Sequence, residues 1–428
     1  MVDVNTTVQP KLLRHAEFRL LFAATAVSKL GVQVGYLAIP LVAVSALDAS
    51  PGQVGLLAAL STVAFLLIGL PAGAWIDRMR RRGVMVAADV VRAALLGSVP
   101  MAWAVDALTL TQLYVVVFLA GFATVFFDVA GLSYVPHVVG RKRLVEANSA
   151  LHSFDAIANI AGRSGAGYLI QWVTAPVALL VTAGGYLISG LCLSGIRRRE
   201  PEAPRPGERR LWPQIREGLG FVLRHRILRP AALAGAATNL GMQLSLTMLP
   251  VVMIAGLALP ESRLGLFLAA GGVGALVGAL TAKRLGGVLG MGRMLWVLGL
   301  VVAPAAFLVP MLDRGAGFWL AMAGWGIVAF KIGVDNVVLV SFRQRVTPDG
   351  LLGRQNATMR FLLTGALAVG AALAGVVGEL VSARAALWTG TVILALAWIP
   401  LFFSPIRNLR TLPAASDVTA VEAGPERG

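Results

Sequence analysis

Apolar residues in this chain gather in long, nearly continuous runs separated by short polar segments, without the strict alternation of a half-buried strand. Twelve runs reach the roughly 20 residues an α-helix needs to cross a bilayer. They fall at 18–45, 52–76, 84–105, 110–135, 149–173 and 176–196, then at 231–257, 262–283, 293–312, 316–341, 356–380 and 384–404. A helix satisfies its own backbone polar groups in lipid, so runs of this length predict helical spans. The pattern predicts an all-α integral membrane protein of 12 transmembrane helices in two six-helix halves. The expected units are an N-terminal segment 1–17, a first bundle 18–196, a linker 197–230, a second bundle 231–404 and a disordered tail 405–428.

The two halves repeat one another. Leu30-Gly31-x-Gln33 with Pro40 recurs 210 residues later as Leu240-Gly241-x-Gln243 with Pro250, and Val54-Gly55-Leu56-Leu57 recurs as Leu264-Gly265-Leu266-Phe267. At an offset of 208, Leu144 with Asn148-Ser149-Ala150 answers to Leu352 with Asn356-Ala357-Thr358. An internal repeat that fills a hydrophobic chain marks a secondary-transporter fold, whose halves rock about a shared central site.

Composition agrees: mean hydropathy is +0.78 and only 14% of residues are charged, against about 25% in soluble domains. Of the 37 Lys and Arg residues, 30 lie at the ends and in the loops that share one side if the N-terminus is cytoplasmic, while Arg263, Arg314 and Arg384 lie opposite. The positive-inside rule then places both termini in the cytoplasm. The net charge of +16 is thereby dealt out to alternate loops, unlike the single basic face of a nucleic-acid-binding domain. A lone cysteine, Cys192, excludes an intramolecular disulfide or Cys-based metal cluster. His15, His137, His152 and His225 lack metal-ligand spacing and read as surface histidines near the cytoplasmic face, and no G-x-x-x-x-G-K-[ST] phosphate loop is present. These features exclude neither cargo nor direction but leave no site for catalysis or ATP use, and no cofactor is expected.

The first 17 residues are polar and basic and lead into a full span, which predicts that the first helix acts as its own insertion signal. In the linker, Pro201, Pro204, Pro206 and Gly207 precede a stretch, 211–228, with Trp212, Ile215, Leu219 and Val222 at helical spacing and Arg216, Arg224 and Arg226 among them. That pattern predicts an amphipathic helix at the membrane surface.

Ionisable residues inside spans carry functional weight because burying them is costly unless they are paired or hydrated. Lys29 stands about eleven residues into the first span, near the midplane at ~1.5 Å per residue, with Gln33 one turn on. Asp128, Arg163, Lys331 and Asp335 are the others singled out, and Asn239 and Gln243 occupy the seventh span. Lys29, Gln33, Asp128, Arg163, Asn239, Gln243, Lys331 and Asp335 are the candidate cavity residues, with Lys29 an alternative partner for Asp128. Lys331 and Asp335 lie i,i+4, so they either neutralise one another or face the cavity and exchange partners. Asp89 and Arg92 lie i,i+3 and read as a structural pair on the third helix.

The loop between the second and third spans, Gly73-Ala74-Trp75-Ile76-Asp77-Arg78-Met79-Arg80-Arg81-Arg82, resembles the major facilitator superfamily signature G-x-x-x-D-R-x-G-R-R. Arg80 replaces its second Gly, and the matching loop of the second half, 278–293, lacks the Asp. Leu70-Pro71-Ala72-Gly73-Ala74, Ala88-Asp89-Val90-Val91-Arg92-Ala93 and Leu352-Gly353-Arg354-x-Asn356-Ala357-Thr358-Met359-Arg360-Phe361 are similar to the macrolide-efflux branch, which includes siderophore exporters. Gly162-Arg163-Ser164-Gly165-Ala166-Gly167 looks like the fifth-helix antiporter motif with its Pro replaced by Arg163, and Gly131 stands where the family often has an Arg after Asp128.

The resemblance implies a monomeric plasma-membrane exporter with a central cavity lined by spans 1, 4, 5, 7, 10 and 11. It also implies a cytoplasmic latch built from Gly73, Asp77, Arg78, Arg81 and Arg82, supported by Asp89 and Arg92. The cargo class is a drug, antibiotic or siderophore-like small molecule, with a nutrient importer and a transport-inactive sensor as alternatives, and membrane lipid is the surrounding partner. Inward flow of one or two protons per substrate suffices as a driving force: 100 mV supplies ~2.3 kcal/mol per charge, against ~2.7 kcal/mol for a hundredfold gradient. Asp128 or Asp335 is the expected titrating group. Lys29, Arg163 and Lys331 outnumber the two aspartates, which favours an anionic or zwitterionic cargo over a cation.

Overall fold

The computed structural model describes residues 15–76, 78–140, 143–197, 211–348 and 351–410. Asp77 and most of the segment expected as a disordered tail lie outside these residues. The first half contains α1 (Ala16–Leu41), α2 (Pro51–Ile76), α3 (Arg81–Ala104), α4 (Leu110–Val139), α5 (Leu144–Val173) and α6 (Ala175–Ser194). The linker forms α7 (Leu211–Arg224). The second half contains α8 (Leu228–Pro250), α9 (Glu261–Leu289), α10 (Met291–Ala306), α11 (Ala316–Val346), α12 (Leu352–Leu380) and α13 (Ala383–Leu396), which α14 (Ile399–Phe402) extends. Among the described residues 11 helices are long and apolar enough to cross a membrane. The twelfth, α5, is as long at 30 residues but carries Asp155 and Arg163.

The repeat explains how these helices pack. Pro40 and Pro250 lack an amide hydrogen and crowd the preceding turn, and directly beyond them α1 and α8 widen into π turns, Val42–Ala46 and Val251–Gly256. Gly31 and Gly241 let each opening helix approach the closing helix of its own half. A Cβ on Gly31 would lie 3.3 Å from the Thr182 carbonyl oxygen on α6, and one on Gly241 only 2.6 Å from that of Gly390 on α13.

The second repeated glycine builds the seams between the halves. Gly55 on α2 meets Gly375 on α12, where an added Cβ at Gly375 would stand 3.1 Å from the Gly55 Cα. Gly265 on α9 meets Gly167 on α5, where an added Cβ at Gly167 would stand 3.0 Å from the Gly265 Cα. Beside the first seam the Glu379 carboxylate of α12 accepts a 2.8 Å hydrogen bond from the Gly52 backbone N–H, capping the first turn of α2 across the halves. All of these contacts lie at the end opposite Arg78–Arg82, Lys283, Arg284, Arg343 and Arg345, which mark the basic end. The two π turns also touch there.

The linker helix and the start of the tail are both tied to the second half. α7 packs against α12 and α8: Val222 is buried and Gly218 lies against Thr358 and Arg354, so the helix is docked on the second half. His225, read as a surface histidine, is buried, and its Nδ1 accepts from the Ile227 and Leu228 N–H groups at 3.1 and 3.3 Å, capping α8. The tail is ordered as far as Arg410, because Ser404 Oγ caps the turn Pro405–Asn408 and Ile406 is buried.

If the glycine seams hold the closed end, Gly265→Leu costs that state about 1–3 kcal/mol by overpacking. The expected readout is a marked fall in disulfide crosslinking of Gly52→Cys to Glu379→Cys in a Cys192→Ser background. Gly287→Leu, at a site with open space around it, should leave the crosslink unchanged; equal crosslinking in both variants contradicts the assignment.

Candidate functional site between the halves

Four polar clusters of different burial divide the roles of the intramembrane charges. On α1 and α5, Lys29 Nζ pairs with Asp155 Oδ1 at 3.3 Å, both side chains 38% exposed. One turn further along α1 and two along α5, Arg163 Nε donates to Gln33 Oε1 at 3.1 Å and a terminal nitrogen donates to Asn159 Oδ1 at 3.3 Å. The Arg163 guanidinium also stands 4.8 Å from the centroid of the Tyr36 ring. Asp128 on α4 is solvent-exposed and makes no ion pair among the described residues, yet feels the charges of Lys29, Arg92, Arg360 and Asp155. Arg360 comes from α12 of the other half and lies 4.4 Å from the Phe65 ring centroid on α2. Charges this far inside their helices, reached by solvent, line a space between the halves that is open toward the basic end.

Toward the closed end that space leads to a largely apolar chamber of about 150 Å³. Tyr36 and Pro40 of α1, Ser61 of α2, and Gln243, Thr247 and Pro250 of α8 lie on its wall. The repeated Gln-to-Pro segments therefore converge on one chamber near the internal pseudo-two-fold axis. Arg163 does not line it but stands against the ring of Tyr36, which does. Gln243 Nε2 donates to Thr247 Oγ1 at 3.2 Å, while Asn239 instead donates to the Leu363 carbonyl of α12 at 3.0 Å and ties two helices of one half together.

Lys331 and Asp335 do not line this space. Both are buried, they bond to each other at 2.5 Å, and Lys331 borders a small hollow with Thr238, Gly299 and Leu394, inside the second half. Their i,i+4 spacing lets them neutralise one another where no solvent reaches. The expectation that they face the cavity is thus corrected, and α11 loses its predicted role there. In the first half Asp89 and Arg92 form an equivalent internal pair, with the Arg92 guanidinium 4.2 Å from the ring centroids of both Phe127 and Tyr186. Sequence reasoning passed over Asp155 and Arg360, each close to the predicted start of its span; Asp155 lies two turns before Arg163 on one helix face, which is the signal that finds it.

Of the latch residues, Arg82 reaches the end of α6, its Nε donating to the Leu193 carbonyl at 2.9 Å and its NH2 group to that of Ser194. A cation there satisfies terminal carbonyls and the negative helix end. Arg78 is exposed and Arg81 half-buried, whereas Asp77 and the surroundings of Gly73 fall outside the described residues.

Comparison with known proteins follows the same lines. The family model for the Major Facilitator Superfamily matches residues 21–360. The chain is 28% identical over 388 residues to the "Multidrug efflux pump Tap" of Mycolicibacterium fortuitum, covering 87% of this chain and 90% of that protein. It is 25% identical over 421 residues to the "Enterobactin exporter EntS" of Salmonella typhi, covering 95% and 97%. Among solved structures, a bacterial homologue of the iron transporter ferroportin superposes with a TM-score of 0.72 at 18% identity, covering 91% of this chain and 98% of that one. The nucleoside transporter NupG superposes at 0.71 and 13%, covering 90% and 99%. These two likenesses establish the shared fold.

The difference in burial makes a test. Removing one partner of a buried pair costs about 3–5 kcal/mol, so Asp89→Ala should lose most monodisperse protein on size exclusion. Asp155→Ala breaks a half-exposed pair worth under about 1 kcal/mol and should stay folded; the reverse ranking contradicts the division between internal and cavity charges.

Proposed function

The chain belongs to the major facilitator superfamily, and on that footing we propose that it is a proton-coupled exporter of an anionic or zwitterionic small molecule with an apolar part. It is a transporter and not an enzyme. The observation that carries the reading is the cationic rim above the apolar chamber. Lys331 and Asp335 drop out of the charge count and Arg360 and Asp155 enter it, so Lys29, Arg163 and Arg360 still outnumber Asp128 and Asp155. Arg163 spends two of its five N–H donors on Gln33 and Asn159 and keeps others for a carboxylate or enolate oxygen. The chamber, of the size that in an engineered protein cavity takes a benzene ring, accepts the apolar portion.

Under the positive-inside rule the basic end faces the cytoplasm, so this state loads cargo from inside the cell, as export in a bacterial plasma membrane requires. Efflux by the similar Tap and EntS proteins supports that direction. The halves then rock about the glycine seams, the basic end closes, and the chamber opens opposite. Asp128 is the proton carrier: it is solvent-accessible here, unpaired, and close enough to Lys29 and Arg360 that its charge state alters how the rim holds an anion. Proton uptake from outside and release inside drives the return.

Everted membrane vesicles test this directly by following ΔpH with a fluorescent dye while macrolides, siderophores and simpler aryl carboxylates are added. Cargo-evoked collapse of ΔpH that is lost in Asp128→Asn is the expected result. Arg163→Gln should raise the half-saturating concentration of an anionic cargo about tenfold or more, the loss of a charged hydrogen bond of about 1.5–3 kcal/mol. Undiminished proton-driven efflux by Asp128→Asn contradicts the coupling assignment, and a preference for lipophilic cations contradicts the charge assignment.

A further inference from the structure

Beyond the last span, Pro405–Arg410 folds back beneath the start of α10. The Met291 and Gly292 N–H groups donate to the carbonyls of Arg410 and Leu409 at 3.1 and 2.9 Å, satisfying helix-start donors that have no partner within the helix. Gly292 permits this approach, since a Cβ there would lie 3.0 Å from the Leu409 carbonyl oxygen and closer still to that of Ile406. Gly290, at φ +84°, turns the chain between α9 and α10. The segment is thereby held in place although three of its side chains, Arg407, Asn408 and Arg410, point to solvent.

Between this segment and α10 lies a pocket of about 380 Å³ lined by Arg293, Trp296, Phe402, Arg407, Asn408 and Arg410. Arg293, Arg407 and Arg410 make no salt bridge among the described residues. On the bundle side sits an aromatic floor: Trp296 and Phe402 meet edge to face at 5.1 Å, Trp398 joins at 5.8 Å, and Arg407 stands 5.6 Å from the Phe402 centroid. The Trp296 Nε1 is buried without a hydrogen-bond partner. Aromatic rings at this depth mark the boundary of the hydrocarbon core, and a basic pocket just outside it is where lipid headgroups bind.

We propose that this pocket binds the headgroup of an anionic phospholipid, a phosphodiester held by Arg293, Arg407 and Arg410 with the glycerol region over Trp296 and Phe402. Three unpaired cations, carried on backbone that hydrogen bonds hold together, attract a phosphate. They disfavour a zwitterionic headgroup, whose own ammonium adds like charge. A soluble phosphate offers the same anion but no acyl chains to lie on the aromatic floor.

Native mass spectrometry of the detergent-purified protein titrated with phosphatidylglycerol, phosphatidylcholine or glycerol phosphate tests this. Selective retention of phosphatidylglycerol is expected, weakened about 20-fold in Arg293→Gln/Arg407→Gln, the loss of two surface cations. Lys283→Gln/Arg284→Gln, at the same end outside the pocket, should leave retention unchanged. Should the double variant not fold, Arg293→Gln alone, at an exposed side chain, is expected to weaken retention about fivefold. Equal loss in both double variants, no loss in either, equal retention of phosphatidylcholine, or displacement by glycerol phosphate at concentrations like those of the lipid overturns the proposal.

Discussion

Two glycine-to-glycine crossings hold this molecule in one state. Apolar surface gains little by leaving lipid for another apolar surface, so helices in a bilayer associate through close packing, and small residues allow it. Gly55 against Gly375 and Gly167 against Gly265 bring α2 to α12 and α5 to α9 at one end only. Opposite that end the halves stand apart and the charged faces of α1, α4, α5 and α12 meet solvent. Because the crossings are related by the internal repeat, the halves can pivot about both seams together. The Glu379 cap on Gly52 is a bond such a pivot must break.

Charges follow the same division. Each half encloses one neutralised pair, Asp89 with Arg92 and Lys331 with Asp335, where no ligand reaches. Breaking either would leave a buried charge, so each pair ties helices or turns within its own half. Between the halves the groups are half-exposed or unpaired and their ties are weak. In the function proposed above, stability and transport rest on different residues, although all of them are ionisable residues within spans.

Much of the architecture was legible in the residues. Span length gave twelve helices, the repeat gave two halves, and the repeated Gly and Pro positions mark the seams and the π turns. Gln33, Gln243 and Arg163 stand out in the sequence because their positions follow from the repeat and a family motif. The direction of Lys331 and Asp335 was not legible: i,i+4 spacing puts them on one face, but which face of α11 turns inward depends on how it packs against α9 and α10. His225 was misread for the same reason, since its role as a cap depends on the sharp turn from α7 into α8. The ordered end of the chain was missed because Pro405–Arg410 has almost no apolar content beyond Ile406, and its order comes from backbone hydrogen bonds to α10.

The central claim is that the halves rock about these seams, so that closing one end opens the other. Electron spin resonance distances between labels at exposed positions test it, with Met79→Cys and Val288→Cys at the basic end and Val105→Cys and Val381→Cys at the opposite end, in a Cys192→Ser background. On addition of cargo or a pH change, the account predicts that the first distance shortens while the second lengthens. Two distances that stay fixed, or that change in the same direction, would contradict it.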